Sequence, residues 1–158
     1  MKPIFTILLL TAAAGAGMPA MAGTSRGDLP VTLTVAASCA IAAEPLAFGT
    51  IGSGAEDASA QAALTLNCTP GTPYAVALDG GRTRARRMTD SAGTVSAPYE
   101  IYQDAGGLRR WGNGAGTTVS GIAPAGGSST LTAYGRLLDP ASLPDGRYSD
   151  IVTVTIAF

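Results

Sequence analysis

Few side chains in this sequence are of the types that carry catalytic or metal chemistry. Histidine is absent from the 158 residues, which removes Ser-His-Asp and Cys-His catalysis and every histidine-ligated metal site. The two cysteines, Cys39 and Cys68, make a poor metal site without histidine. The acidic residues are scattered, and nothing favours a glycosidase pair of carboxylates, although only distances would decide that point. The sequence therefore predicts no enzyme, no catalytic residues, no cofactor and no metal.

Two other groups of residues are candidates for contact with a ligand. Arg82, Arg84, Arg86 and Arg87 form a basic cluster, and Trp111 follows two further arginines. A solvated hairpin is the simpler interpretation of the cluster, and attachment to an anionic surface or polysaccharide is the alternative. Trp111 either packs beside a turn or stacks on a sugar or a neighbouring subunit. All five residues are possible surface contacts.

The N-terminus has the pattern of a signal peptide over residues 1–22. Lys2 precedes an apolar run, and Ala20-Met21-Ala22 is a small-x-small cleavage site. The run is too short to span a bilayer, so we expect export without stable membrane insertion. An oxidising compartment favours a disulfide between Cys39 and Cys68, worth about 3.5 kcal/mol in the chain-entropy account. A reactive thiol pair is the alternative.

The remaining chain has the pattern of strands. Apolar residues make up 46% and charged residues 13%, which permits a packed core. The net charge of −1 does not indicate the basic surface that nucleic-acid binding requires. Apolar side chains alternate with others in several runs, which include residues 29–35, 64–68, 74–78, 99–101, 130–138 and 152–158. Turn residues separate these runs, and Asn113-Gly114 is the strongest two-residue hairpin signal. These features predict an all-β sandwich or barrel.

Both ends of the predicted domain are unusual. The last strand presents Val152, Val154, Ile156 and Phe158 on one face and carries no charge, which is a liability for an exposed edge. Near the other end, residues 29–35 alternate regularly before the first cysteine. This segment is either the first strand of a closed sandwich or a strand added to the sheet of another molecule.

Several short motifs occur in a specific order along the chain. They include Val31–Val35 ahead of Ser38-Cys39, and then residues 45–49, 64–69, 71–74, 78–81, 87–88, 99–102, 110–112, 134–137 and 146–150. In this order the motifs resemble the spore coat protein U domain family, which includes the pilin subunits of archaic, Csu-type chaperone–usher systems. No single motif is diagnostic, and the resemblance rests on their order over nearly the whole exported chain.

The resemblance implies an incomplete immunoglobulin-like β-sandwich over residues 37–158, preceded by an N-terminal donor-strand segment over residues 23–36. The implied donor residues are Leu29, Val31, Leu33 and Val35. The implied groove-edge residues are Val152, Val154, Ile156 and Phe158, and Cys39–Cys68 corresponds to the disulfide of the family.

The resemblance also implies partners and a location. A periplasmic chaperone would lend a strand to the subunit, and at the outer-membrane usher the N-terminal segment of another pilin subunit would replace it. The product would be a pilus or coat on the surface of a Gram-negative bacterium, which supports adhesion or biofilm formation. Shaft and minor subunits are both compatible with one domain. The alternative function is a monomeric, secreted carbohydrate-binding or adhesive module, and a secreted hydrolase is a third.

Overall fold

A computed structural model of the chain describes residues 22–52, 54–55 and 57–158. The predicted signal peptide falls on residues 1–22, and all of it except Ala22 lies outside the described residues. The chain divides into one unit that ends at Thr34 and another that runs from Val35 to Phe158. In the first unit, the described residues 22–34 form no helix or strand.

The second unit is built from short antiparallel strands, as the alternating pattern predicts. In chain order the strands are β1 (Cys39–Ala43), β2 (Ser59–Cys68), β3 (Pro73–Leu78), β4 (Arg87–Thr89), β5 (Ser96–Tyr102), β6 (Val119–Ile122), β7 (Ser128–Leu137) and β8 (Val154–Ala157). One 3₁₀ turn, Pro140–Ser142, follows β7. No helix in the described part of the chain is long and apolar enough to cross a bilayer.

The strands form two sheets with the core between them. One sheet has the order β1-β2-β7-β5-β4, and the other has the order β6-β3-β8. Alternate residues of the long strands face inward, so that Ala62, Leu64 and Leu66 of β2 are buried while their neighbours are not. The all-β sandwich prediction is therefore confirmed.

One local prediction is wrong. Asn113-Gly114 does not connect two paired strands, but lies in a turn where Gly112 N–H donates to Thr117 O (2.9 Å) and Thr117 N–H donates to Gly114 O (3.1 Å). The residue before this turn, Trp111, is drawn into the core, with only 1% of its surface exposed. Tertiary packing of this side chain outweighs the local hairpin preference of Asn-Gly.

Candidate functional site

Strand β8 is an edge strand with one unpaired side. It pairs with β3 in the register Val76↔Ile156 and Leu78↔Val154, and no other described strand pairs with it. Thr153 N–H donates to Asp79 Oδ1 (2.8 Å), and Thr153 O accepts from Asp79 N–H (3.1 Å), so Thr153 faces β3. Because these directions alternate along a strand, the backbone groups of Val154 and Ile156 point to the open edge.

The side chains of the same residues point toward the core. Val152, Val154 and Ile156 are partly buried against the central cluster, whereas Thr153 and Thr155 are exposed. Phe158, beyond the end of β8, is 59% exposed. The open edge of β8 therefore offers unpaired backbone groups directly beside apolar side chains.

An open apolar groove of about 970 Å³ lies beside this edge, between the inner faces of the two sheets. Its floor is made of core residues from both sheets, namely Ala62, Leu64, Leu78, Ala97, Tyr99, Ile101, Ala133 and Leu137. Its walls are residues 43–52 and 143–152, together with Met88, Pro140 and Val154. These floor residues are each no more than 8% exposed, so the groove overlies a core that is itself closely packed.

The wall formed by residues 43–52 has no regular structure after Ala43 but is anchored in the core. Leu46 and Phe48 pack over Gly135 of β7, where an added Cβ would lie 2.8 Å from Leu46 Cδ2 and 3.0 Å from Phe48 Cζ. The Phe48 ring also meets the Tyr99 ring edge-on at 6.4 Å. The absence of a side chain at Gly135 is therefore what allows this wall to approach the sheet.

Two carboxylates fix the start of the last strand. Tyr99 OH donates to Asp150 Oδ2 (2.7 Å), and Asp150 Oδ1 accepts from the N–H groups of Arg82 (2.9 Å) and Ile151 (2.8 Å). Burial, reinforced by Asp150, raises the pKa of Tyr99 and keeps its hydroxyl a donor. The sequence carries no signal for the Tyr99–Asp150 hydrogen bond, because 51 residues separate the two side chains.

The second carboxylate is Asp79, whose Oδ1 also accepts from Gly81 N–H (2.9 Å). This bond and the one from Thr153 lower the pKa of Asp79. Asp79 therefore ties the turn after β3 to the strand that borders the groove.

The cysteines form the predicted disulfide. Cys39 and Cys68 are register partners at the ends of β1 and β2, and their sulfur atoms are bonded. The bond fastens the first strand of the sandwich to its neighbour, so the alternative of a free thiol pair is wrong.

The four residues expected to form the donor strand contribute to no sheet of their own chain. Leu29, Val31 and Leu33 are 86–88% exposed, Val35 is 71% exposed, and none lies in a strand. Exposure of four large apolar side chains at every second position is unfavourable in water. The segment is therefore suited to burial against another surface.

Two of the possible surface contacts are corrected by the structure. Arg86 is 8% exposed, and its Nη2 donates to Leu78 O (3.1 Å) and Trp111 O (3.0 Å). Trp111 Nε1 donates to Val76 O (2.9 Å). Both side chains hold β3 from inside the sandwich and are unavailable at the surface. Arg82, Arg84 and Arg87 are exposed.

Similarity to known proteins extends over most of the chain. The Spore Coat Protein U domain family matches residues 26–155. Protein U of Myxococcus xanthus is 31% identical over 173 aligned positions, which cover 96% of each chain. A crystal structure of the CsuC–CsuE chaperone–tip adhesion subunit pre-assembly complex, from the archaic chaperone–usher Csu pili of Acinetobacter baumannii, matches with a TM-score of 0.63 and 26% identity. That match covers 79% of this chain and 41% of the other, so this chain spans less than half of that chain's length.

Proposed function

Because the chain belongs to the Spore Coat Protein U domain family, we propose that it is a structural subunit assembled by donor-strand exchange. In this proposal each subunit lacks one strand of its sandwich and receives it from a neighbour. The product is a chaperone–usher pilus or a cell-surface coat. The protein is then a pilin-like building block that catalyses no reaction.

The observation that carries the proposal is the open edge of β8 beside the apolar groove. A strand placed along this edge would pair with the outward backbone groups of Val154 and Ile156. Every second side chain of that strand would enter the groove and cover its floor of core residues. One added strand would therefore pair with the open edge of β8 and also fill the groove that overlies the core.

The donor in this proposal is the segment that holds Leu29, Val31, Leu33 and Val35. Its apolar side chains recur at every second position, which is the spacing that a groove beside a strand requires. Burial of four such side chains contributes about 6–12 kcal/mol before ordering of the segment is counted. The contact joins two different surfaces, so it does not close on itself and generates a filament.

The same geometry suggests what happens before assembly. A subunit with an open groove and an unpaired edge would aggregate, so we infer that a periplasmic chaperone covers the groove with a strand of its own. The similar Acinetobacter baumannii subunit is bound to a chaperone in its pre-assembly complex. We further infer export to the periplasm, assembly at an outer-membrane usher, and a surface pilus or coat that supports adhesion or biofilm formation.

The proposal is tested by removing the donor while keeping the sandwich. Residues 27–35 are replaced with a Gly-Ser segment of equal length in the full exported chain, produced with its own secretion system. We expect single subunits in the periplasm, whereas the unchanged chain forms multimers that survive detergent without heating. Gel electrophoresis of unheated samples and electron microscopy of the cell surface give the readout. Multimers in equal yield from both chains would contradict donor-strand exchange.

A further inference from the structure

The outward face of the five-stranded sheet carries polar and aromatic side chains in register. Gln61 of β2 lies opposite Tyr134 of β7, which lies opposite Tyr102 of β5. Two residues along, Ser59 lies opposite Arg136. These residues alternate with buried Ala133 and Leu137, so they point away from the core.

These side chains border a second cleft, of about 750 Å³. We name its chemically distinctive lining the outer patch, which consists of Asp57, Ser59, Gln61, Tyr102, Tyr134 and Arg136. The apolar groove lies on the opposite face of the same sheet, because it is lined by the inward residues of β2 and β7. Occupation of the groove by a donated strand would therefore leave the outer patch open.

Arg136 is held in place within the patch by three contacts. Its Nη2 donates to Ala105 O (2.8 Å), and its Cζ lies 5.8 Å from the centre of the Tyr102 ring. The backbone of Gly107, with φ of +71°, approaches so closely that an added Cβ would lie 2.8 Å from Cζ. The guanidinium is thus positioned in advance, which reduces the entropy lost when it binds a ligand.

The rest of the guanidinium is available to a ligand. In the part of the chain that the structure describes, Nη1 and Nε of Arg136 carry no hydrogen bond, and the cross-strand neighbour Glu100 is paired with Arg110 (3.1 Å). The amide of Gln61 is exposed on the same face, and Asp57 supplies a carboxylate at the cleft wall. Donors and acceptors therefore line the same cleft as the partly buried ring of Tyr134.

We propose that the outer patch binds a neutral hexose unit of a polysaccharide. A pyranose ring presents an apolar C–H face that packs on an aromatic ring, and hydroxyl groups that both donate and accept hydrogen bonds. Tyr134 supplies the ring, Arg136 and Gln61 supply donors, and Asp57 supplies an acceptor. One positive and one negative group on the same cleft favour a neutral ligand over an acidic one. A sugar contact, which the sequence left open as an alternative at Trp111, is thereby assigned to a different surface.

The test uses the full exported chain in the assembly state in which it is purified. Soluble oligosaccharides of glucose, galactose and mannose are the probes, polygalacturonate is the acidic comparison, and binding is measured by calorimetry and saturation-transfer NMR. We expect at least one neutral probe to bind, and expect Tyr134→Ala and Arg136→Gln each to weaken that binding about tenfold or more. Tyr134→Phe keeps the ring and is expected to retain most of the affinity.

The controls separate loss of the site from loss of the fold. Thr130→Ala removes an exposed side chain on the same outward face of β7 that does not line the cleft, and it is expected to leave sugar binding unchanged. Each variant is compared with the unchanged chain for its disulfide and for multimers that survive detergent without heating, neither of which depends on the outer patch. The proposal is overturned if no neutral probe binds, if polygalacturonate binds more tightly than all of them, or if the Tyr134 and Arg136 variants bind as well as the unchanged chain.

Discussion

Replacement of Leu33 with aspartate is expected to abolish multimer formation while the subunit itself still folds. Leu33 is 88% exposed in its own chain, so the sandwich does not depend on it. In the neighbouring subunit the side chain would face a floor of largely apolar residues, where burial of an unpaired carboxylate is strongly unfavourable. The leucine's own contribution of about 1.5–3 kcal/mol is lost as well. Unheated gels and electron microscopy of the cell surface measure the result.

The matched control is aspartate at the adjacent position, Thr34→Asp. Adjacent residues of a strand point to opposite faces, so this carboxylate would remain in water while the charge and the segment stay the same. We expect this variant to assemble nearly as well as the unchanged chain. Normal fibres from Leu33→Asp would refute the proposed register, and equal loss in both variants would show that charge alone blocks assembly.

Replacement of Trp111 with alanine is expected to lower the free energy of unfolding by about 3–5 kcal/mol. The side chain is 1% exposed, and its Nε1 donates to Val76 O of β3, the strand that pairs with β8. Removal of the indole would leave a cavity beneath β3, and Val76 O would lose its hydrogen bond next to the groove edge. Most domains have a total stability of only about 5–15 kcal/mol, so the yield of exported folded protein should fall sharply. Yield and the urea midpoint of the purified assembly measure the effect.

Trp111→Phe distinguishes packing from the hydrogen bond. The smaller ring retains much of the apolar burial but leaves Val76 O without its donor, so we expect a loss of about 1–3 kcal/mol. Neither variant should weaken sugar binding directly, because the residue is not at the surface. An alanine variant that kept full stability but lost attachment to sugars would contradict the core role and restore the surface role.

The sequence pattern predicted those features that depend on local alternation. The period-two runs predicted β2, β3, β5, β7 and β8, whereas the short strands β4 and β6 have no such run and residues 29–35 form no strand in their own chain. Export predicted the Cys39–Cys68 disulfide. The uncharged C-terminal segment predicted an exposed edge, and β8 lies at such an edge. Each of these predictions depends on the pattern of neighbouring residues or on the number of cysteines.

Features that depend on contacts between distant residues could not be predicted in this way. Arg86 is buried because two backbone carbonyls, from Leu78 and Trp111, converge on its guanidinium. Nothing in its local sequence separates it from its exposed neighbours Arg82 and Arg84. The outer patch likewise requires the strand order, since Tyr102 and Tyr134 meet only because β5 pairs with β7.

The central claim is that residues 36–158 lack a strand that residues 27–36 supply. The most direct measurement compares two chains, each produced behind residues 1–22 of the natural sequence. One is residues 36–158 alone, and the other adds a flexible linker and a copy of residues 27–36 after Phe158. We expect only the second chain to be a soluble monomer. Its melting temperature should exceed that of residues 36–158 alone by at least about 20 °C, because burial of the added strand contributes several kcal/mol. If residues 36–158 alone form an equally heat-stable monomer, the sandwich is already complete and donor-strand exchange is ruled out.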